Sequence, residues 1–400
     1  MPNSDKPLAP SGQFSADLVI IGGGVAGCWA ALKALRSGLS VILVEKQHIG
    51  AGASGGFLGA LMPHMPERWD EKKAFQFAAL VALENEVEHL EADTGMGVGY
   101  HRVGRLMPLA SERQRRTAEF RGPEAANSWQ GLFTHNLVAA DGWDEWLDPA
   151  TAPEGMVYDT LSARISPPDL LAALVAACTR NTDFTLLQQA HCHRVDHQAG
   201  RVHLSDGRTI AFGQLFLCNG LGAFRLIEGI CGLDTGSIGN AVKGQAALFE
   251  VAHLPAQPSD LPLIYDNGAY VIAHESGCLA VGSTSETEFS DPSGTDDKLD
   301  EIIARASLLC PALRNARLVA RWAGLRPRPA GRDPMLGKLP GQERIFTITG
   351  GYKISFGIAH RMADAVLSRI TGAVGPDIPS TFTLEHHFAK AGMRRQEKSD

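Results

Sequence analysis

The sequence predicts an α/β fold with two domains, and three observations indicate it. The chain has 400 residues, more than one hydrophobic core usually serves, so two domains are the natural expectation. An apolar fraction of 44% with 20% charged residues is ordinary for a folded globular protein. Near its start, "LVIIGGGVAGCWAALKALRSGLSVILVEK" has the hydrophobic pattern of a buried strand, a helix and a second buried strand. This order is typical of a parallel sheet.

Charge, cysteine content and the first residues exclude several classes of protein. The net charge of −7 argues against a general nucleic-acid binder. The 7 cysteines are scattered without a CxxC pair, which predicts no disulfide framework and fits a reducing cytoplasm. Residues 1–16 are polar and contain proline, so we expect a loose leader, not a signal peptide, and residues 385–400 should form a second flexible terminus. The apolar run at residues 18–35 includes 4 glycines and a lysine, so we expect a cytoplasmic protein without membrane insertion.

The first glycine-rich turn has the spacing of a dinucleotide-binding fingerprint, Gly22-x-Gly24-x-x-Gly27. In this fingerprint the first glycine allows a tight turn, the second allows the backbone to approach a pyrophosphate, and the third allows close packing of helix on strand. The helix that begins near Ala26 then offers unpaired N–H groups to the phosphates. Glu45 ends the second strand, where an acid accepts hydrogen bonds from ribose hydroxyls. The pattern favours a dinucleotide site over an ordinary glycine-rich turn, but it does not distinguish a site for NAD from a site for FAD.

A second glycine-rich stretch, "GAGASGGFLGALMP" at residues 50–63, follows directly. So many small residues indicate backbone packed against a flat or anionic group. Ser54 could cap a helix and offer its hydroxyl to a phosphate. A flexible surface loop is the alternative, and the embedded Phe57, Leu58, Leu61 and Met62 argue against it.

These two turns, with Glu45-Lys46 between them, resemble the FAD-dependent D-amino-acid oxidase superfamily and in particular its glycine oxidase branch. Further matching segments follow in the expected order between residues 165 and 371: "ISPPDLLAALVAAC", "HRVDHQAGRVHLSDGRTIAFGQLFLCNG", "RWAGLRPRPAGRDPMLG" and "IFTITGGYKISFGIAHRMADAVL". Asn219-Gly220 stands where the family usually has alanine-glycine. The resemblance therefore covers nearly the whole chain.

The resemblance implies the domain architecture. We expect a Rossmann-like FAD-binding domain of the glutathione-reductase type, assembled from residues 17–95, 160–225 and 320–375. Residues 96–159 and 226–319 should form a second, antiparallel-sheet domain that carries the substrate site and covers the flavin.

The resemblance also implies which residues bind the cofactor. No cysteine lies near the closing FAD segment, so we expect noncovalent FAD. The implied cofactor-binding residues are Gly22, Gly24, Val25, Ala26, Gly27, Glu45, Lys46, Ala53, Ser54, Gly59, Ala60, Leu61, Val195, Asn219, Gly220, Gly324, Gly350, Gly351, Tyr352, Lys353 and Ile354.

Three residues are candidates for substrate contact. Arg326 matches the family's carboxylate-binding arginine, and a planar guanidinium suits a carboxylate because it forms two parallel hydrogen bonds. An arginine paired with an internal acid such as Asp333 is the alternative. Tyr270 falls where the glycine oxidase branch has a tyrosine at the substrate, although a plain strand aromatic would give the same pattern. Lys353 replaces an arginine of that branch, which keeps the charge but loses the forked geometry.

Several histidines are further candidates for site residues. His64 follows the second glycine turn, and a hydrogen-bonded loop histidine is favoured over a flavin contact. His191, Cys192, His193 and His197 cluster in sequence. Alternation along a strand points His191 and His193 to one face and Cys192 to the other, so we expect no metal site.

The expected activity is FAD-dependent oxidation of the C–N bond of glycine, a sarcosine-like amine or a D-amino acid. Direct hydride transfer to the flavin would give an imine and then an oxo acid, without a general base. Oxygen or another acceptor would take up the electrons. One alternative is the module that oxidises carboxymethylaminomethyl groups of transfer-RNA wobble uridine, and another is a non-catalytic flavoprotein subunit. We expect no nucleic-acid partner and leave self-association into a homo-oligomer open.

Overall fold

The computed structural model describes residues 13–399, with side chains over residues 14–392. The strands are, in chain order, β1 (Gln13–Ile21), β2 (Val41–Val44), β3 (Ala60–Leu61), β4 (Arg105–Pro108), β5 (His135–Val138), β6 (Met156–Asp159), β7 (Ala163–Arg164), β8 (Phe184–Leu187), β9 (Cys192–Asp196), β10 (Arg201–Leu204), β11 (Thr209–Leu217), β12 (Gly239–Glu250), β13 (Leu263–Asp266), β14 (Ala269–Ala273), β15 (Cys278–Gly282), β16 (Arg317–Pro329), β17 (Met335–Lys338) and β18 (Ile345–Thr349). The helices are α1 (Val25–Arg36), α2 (Glu71–Thr94), α3 (Glu112–Ser128), α4 (Pro167–Thr179), α5 (Leu221–Cys231), α6 (Asp297–Leu309), α7 (Ser355–Thr371) and α8 (Leu384–Ser399).

The first sheet forms around β1, whose apolar residues from Leu18 to Ile21 are buried because both faces of the strand are covered. Its order is β17-β18-β11-β1-β2-β8, with the β9–β10 hairpin attached to β11. The pairs from β18 across to β8 are parallel, and β17 is antiparallel to β18. Helices α1, α2, α4 and α7 pack on one another and share one hydrophobic cluster that includes the buried Trp29. The α/β fold with a Rossmann-like parallel sheet is therefore confirmed.

The second sheet has the order β16-β12-β15-β14-β13-β4-β6-β5. It is antiparallel apart from one parallel pair, β13 with β4. Its longest pairing joins β12 to β16 and brings Gly244 opposite Gly324 and Val242 opposite Arg326. Helix α6 packs on β12, β14 and β15. This sheet is the antiparallel layer that the sequence predicted.

One predicted domain boundary, at residue 320, falls inside strand β16. This strand pairs with β12 from Arg317 to Pro329, so these residues lie in the second sheet. The family signature spans the point where the chain returns to the first sheet. The discontinuous division into two domains stays a prediction.

The terminal segments also differ from expectation. Residues 1–12 and 400 of the predicted flexible termini lie outside the described residues, but β1 already begins at Gln13. The C-terminal segment forms helix α8, and His387 on it is fully buried. Its ring accepts a hydrogen bond from the Gly331 N–H and lies 2.9 Å from the Pro334 carbonyl oxygen, which docks the charged helix. Between residues 13 and 399, no helix has the length and apolar character needed to cross a membrane.

Candidate active site

A cavity of about 250 Å³ lies where the second glycine turn meets the second sheet. The first domain contributes the turn from Ala53 to His64, parts of α2 and α7, and the loop after β18. The second sheet contributes side chains from β12, β14 and β16. Of the residues predicted from sequence, those in its wall are Ala53, Gly59, Ala60, Leu61, Tyr270, Arg326, Tyr352, Lys353 and Ile354. The structure thus brings all three substrate candidates into one cavity.

The first glycine turn is closed by two contacts that only glycine permits. Gly22 has φ +112°, and a Cβ there would lie 2.5 Å from the Asn219 Cα. A Cβ on Gly27 would lie 1.9 Å from the Gly22 carbonyl oxygen. The predicted cofactor residues Gly22, Gly27 and Asn219 therefore meet at the carboxyl ends of β1 and β11, where ligands bind in α/β sheets.

Gly24, at the start of α1, is approached closely only by the Ser54 side chain. A Cβ on Gly24 would come within 4 Å only of Ser54, 3.1 Å from its Oγ. The helix begins without a capping side chain of its own. Ser54 Oγ accepts a hydrogen bond from the Val25 N–H at 3.1 Å, which leaves the hydroxyl proton available to an acceptor. An open backbone approach to a helix N-terminus fits a pyrophosphate, so the residues present suit FAD.

Glu45 is held in place by two backbone amides. Its Oε2 accepts a hydrogen bond from Gly23 N–H at 2.7 Å, and its Oε1 accepts one from Gln47 N–H at 2.8 Å. Each carboxylate oxygen has two lone pairs, so both keep the capacity to accept from ribose hydroxyls. The neighbouring Lys46 is exposed.

The loop after β18 is the part of the first domain that faces the second sheet. Gly350 has φ +73°, and a Cβ there would lie 2.3 Å from the Pro329 ring. Tyr352 also has a positive φ of 47°, and its hydroxyl lies 2.9 Å from the Ser285 Oγ of the second sheet's domain. Helix α7 then begins without a capping side chain. This loop can meet a flavin ring through backbone atoms, as predicted for Gly350, Gly351 and Ile354.

The remaining predicted cofactor residues lie outside the cavity wall. Gly220 has φ +56° at the start of α5, and its carbonyl accepts a hydrogen bond from Thr349 at 3.1 Å. Val195 pairs with Val202 in the β9–β10 hairpin. A Cβ on Gly324 would lie 2.3 Å from the Trp322 ring, so this glycine makes room for the indole.

Arg326 is the buried cation of the cavity, with 8% of its surface exposed. Its Nη1 donates to the Thr284 carbonyl at 3.0 Å. Within the described part of the chain, no carboxylate is within ion-pair distance of it, and Asp333 pairs with Lys72 instead. Burial lowers the pKa of Arg326, and Tyr352, Tyr270 and Glu286 act in the opposite direction. The guanidinium stays charged, because arginine does not lose its proton in proteins, and its other donors are free for a ligand.

Tyr270 and Lys353 complete the polar part of the wall. Burial raises the pKa of Tyr270 to about 12, so its hydroxyl is a proton donor at neutral pH. The Lys353 Nζ lies 5.7 Å from the Tyr352 ring centroid. Its side chain is still open to solvent, yet partial burial and the charge of Arg326 lower the pKa of Lys353. The cavity wall contains no acidic residue.

Sequence reasoning missed Gln76 and Trp322 of the wall, and it favoured a hydrogen-bonded loop role for His64. His64 lines the cavity and is also hydrogen-bonded, because its Nδ1 contacts the Gln76 side chain. The amide of Gln76 donates to the Met62 carbonyl at 3.0 Å, which fixes its orientation. Trp322 covers the second glycine turn, with ring carbons 3.1 Å from a Cβ position on Gly56. The tryptophan was visible inside the signature segment, but nothing in the sequence pattern indicated the glycine that it covers.

The histidines that cluster in sequence from residue 191 to 197 lie on and beside strand β9. The His193 and His203 rings lie 6.4 Å apart on this hairpin. Over the residues that the structure describes, no group of three or more His, Cys, Asp or Glu side chains has the arrangement of a metal site.

Comparisons with known proteins agree with this geometry. The DAO family, described as FAD dependent oxidoreductase, matches residues 17–365. Glycine oxidase of Geobacillus kaustophilus is 26% identical over 393 residues, which span 94% of this chain and 98% of that protein. The crystal structure of glycine oxidase from Geobacillus kaustophilus has a TM-score of 0.81 at 22% identity, covering 93% of this chain and 98% of the other.

A further relative belongs to transfer-RNA modification. A tRNA 5-methylaminomethyl-2-thiouridine biosynthesis bifunctional protein of Chromohalobacter salexigens is 26% identical over 350 residues, covering 84% of this chain and 47% of that protein. The family match spans most of the chain and confirms the predicted family and cofactor. The chain belongs to the DAO family of FAD-dependent oxidoreductases.

Proposed function

We propose that this protein oxidises the C–N bond of a small amino acid: glycine, a sarcosine-like N-substituted glycine or a D-amino acid. The observation that carries the proposal is Arg326, a buried guanidinium in the cavity wall that lacks a carboxylate partner among the described residues. A buried charge is ordinarily paired, so a free one in a cavity indicates an anionic ligand. The similarity to glycine oxidases supports the same substrate class.

The chain's own side chains would bind and orient this substrate. Arg326 holds the carboxylate through charge-assisted hydrogen bonds, and the protonated Tyr270 hydroxyl donates a further one. The rest of the wall is largely apolar and includes Phe57, Leu58 and Trp322. When bound, FAD would supply the acceptor for the hydride, which carries the two electrons away from the substrate Cα. Because the carboxylate is fixed at one end, the Cα–H bond is held in one orientation.

A spectroscopic experiment tests the proposal. The yellow protein is purified with its flavin, made anaerobic and mixed with glycine, sarcosine, D-alanine or L-alanine. We expect bleaching of the flavin absorbance by glycine, sarcosine or D-alanine, and formation of the matching oxo acid. Transfer RNA that carries the carboxymethylaminomethyl group is added in a separate sample, and bleaching by it alone would identify the wobble-uridine module instead. Absence of bleaching by every candidate would indicate a non-catalytic subunit.

Three further features stay predictions. We propose that the electron acceptor is oxygen or another oxidant and that the protein is cytoplasmic, and self-association into a homo-oligomer stays open. Peroxide measurement during aerobic turnover separates an oxidase from a dehydrogenase, and sedimentation velocity gives the oligomeric state.

A further inference from the structure

A buried polar network lies directly behind Arg326. The Thr284 carbonyl accepts from the Arg326 guanidinium at 3.0 Å, and the Thr284 hydroxyl donates to Glu286 Oε1 at 2.5 Å. The same hydroxyl accepts from the Gln245 backbone N–H at 3.0 Å. The Gln245 amide donates to Glu286 Oε1 at 2.8 Å. These hydrogen bonds connect a buried carboxylate to the carbonyl that holds Arg326.

The segment that carries this carboxylate is also fixed along its backbone. Glu286 and Lys243 exchange two backbone hydrogen bonds, at 2.8 and 2.9 Å, which attach residues 284–286 to β12. Glu286 Oε2 accepts from the Lys298 Nζ at 3.1 Å. Both Glu286, at 7% exposure, and Thr284, at 6%, are buried. The network therefore has little freedom to rearrange when a ligand enters the cavity.

The position of Glu286 puts a negative charge near Arg326 without a direct ion pair between them. A carboxylate paired directly with Arg326 would occupy the donors that a substrate carboxylate needs. Glu286 instead lies two residues beyond Thr284, and the Thr284 carbonyl accepts from only a single guanidinium N–H. Attraction between charges weakens with distance but persists across a buried site. Arg326 can thus be stabilised while its remaining donors stay open.

We propose that Glu286 is a positioning residue, which acts through Thr284 and Gln245 to hold the Arg326 guanidinium as an open receptor for carboxylates. This inference rests on the proposed function, because it assumes that Arg326 binds the substrate carboxylate. A purely structural role, in which the network only attaches α6 to β12, is the competing explanation. Asp296 allows the positioning role and the structural role to be distinguished. It accepts from the Gln245 amide at 2.7 Å and from Lys243 at 3.3 Å, but it has no hydrogen bond with Thr284.

The test compares Glu286→Gln with the matched control Asp296→Asn, both purified with bound flavin. Acetate, a carboxylate without a reactive amine, is titrated while the flavin absorbance spectrum is followed, and kcat and KM are measured with the best amino acid. We expect Glu286→Gln to weaken acetate binding and to raise KM at least tenfold, with kcat within threefold. Asp296→Asn should stay within threefold in both affinities, even where its thermal midpoint falls.

Equal weakening in the two variants, or wild-type affinity in Glu286→Gln, would overturn the inference. If Glu286→Gln does not fold, Thr284→Val provides the same test, because it keeps the carbonyl and removes the hydroxyl link to Glu286. In that case unchanged acetate affinity overturns the inference and a tenfold loss supports it. A wild-type protein that neither binds acetate nor is reduced by amino acids would refute the proposed function itself, which is a different result from an unaffected Glu286→Gln.

Discussion

Gly244 on β12 makes room for the Arg326 guanidinium, and its replacement by alanine should disable the carboxylate site without breaking the strand. A Cβ on Gly244 would lie 2.1 Å from the Arg326 Cζ and from both terminal nitrogens. Carbon atoms in contact are normally ~3.5 Å or more apart, so the guanidinium must move by about 1.4 Å. Hydrogen bonds do not survive a shift of this size, because their usable range is only about 0.5 Å.

The expected loss follows from the hydrogen bonds involved. Each charge-assisted hydrogen bond contributes about 1.5–3 kcal/mol, so losing two from Arg326 removes about 3–6 kcal/mol of substrate binding. At about 1.4 kcal/mol per tenfold, kcat/KM should fall between a hundredfold and ten-thousandfold. The strand itself should remain, since Gly244 does not have a positive φ that alanine would strain.

The assay is steady-state kinetics of Gly244→Ala with the best amino acid, together with acetate titration. Gly97→Ala is the matched control, because a Cβ there meets nothing within 4 Å and its φ is not positive. Both variants should retain flavin and a cooperative thermal transition. Wild-type kcat/KM in a folded Gly244→Ala would refute the reasoning, since Arg326 would then not need the position in which the structure shows it.

Three further predictions concern the cofactor, the second substrate contact and acid stability. Gly24→Ala should leave the stability of the flavin-free protein near wild type but weaken FAD binding at least tenfold, measured by fluorescence titration. Gly27→Ala should instead destabilise the fold itself. An equal loss of stability in the two variants would contradict the role of Gly24 in the approach of the pyrophosphate. Tyr270→Phe should raise KM about tenfold through loss of one hydrogen bond. Because the pKa of Tyr270 is about 12, the pH profile below pH 10 should keep its shape, and a shifted alkaline limb would show that Tyr270 ionises earlier. Burial lowers the pKa of His360 to about 3. The neutral, buried His360 therefore costs no stability above the unfolded-state pKa near 6.5, and stability is lost as the pH falls from there toward 3. For the wild type this loss amounts to about 2 kcal/mol of unfolding free energy between pH 7 and 5, and His360→Leu should remove it. If urea unfolding gives the same pH dependence of the unfolding free energy for wild type and His360→Leu, this prediction is contradicted.

The parts of the fold that sequence could predict are those set by local sterics. The turn from Gly22 to Gly27 needs glycine for contacts within a few residues or with the adjacent strand, so its spacing alone indicates the strand-turn-helix unit. Glu45 could also be predicted, because the fingerprint places an acidic residue where the next parallel strand ends. Arg326 was identified through resemblance to a signature segment. That signature could not show that β16 pairs in the second sheet as far as Pro329.

The parts that could not be predicted depend on contacts between distant segments. Gly244 and Arg326 meet only because β12 and β16 pair in one register. The connection from Thr284 to Glu286 and Gln245 requires the residues after β15 to lie beside β12. The C-terminal segment was expected to be flexible because of its charged composition, yet one buried histidine, His387, docks it as a helix.

The central claim, that Arg326 and Tyr270 together receive a carboxylate beside the flavin, is tested most directly by a crystal structure of the flavin-bound protein soaked with glycolate. We expect the glycolate carboxylate within 2.7–3.2 Å of an Arg326 nitrogen and of the Tyr270 hydroxyl, the normal hydrogen-bond range. Glycolate bound elsewhere in the cavity, or an Arg326 side chain turned away from the flavin, would contradict the claim.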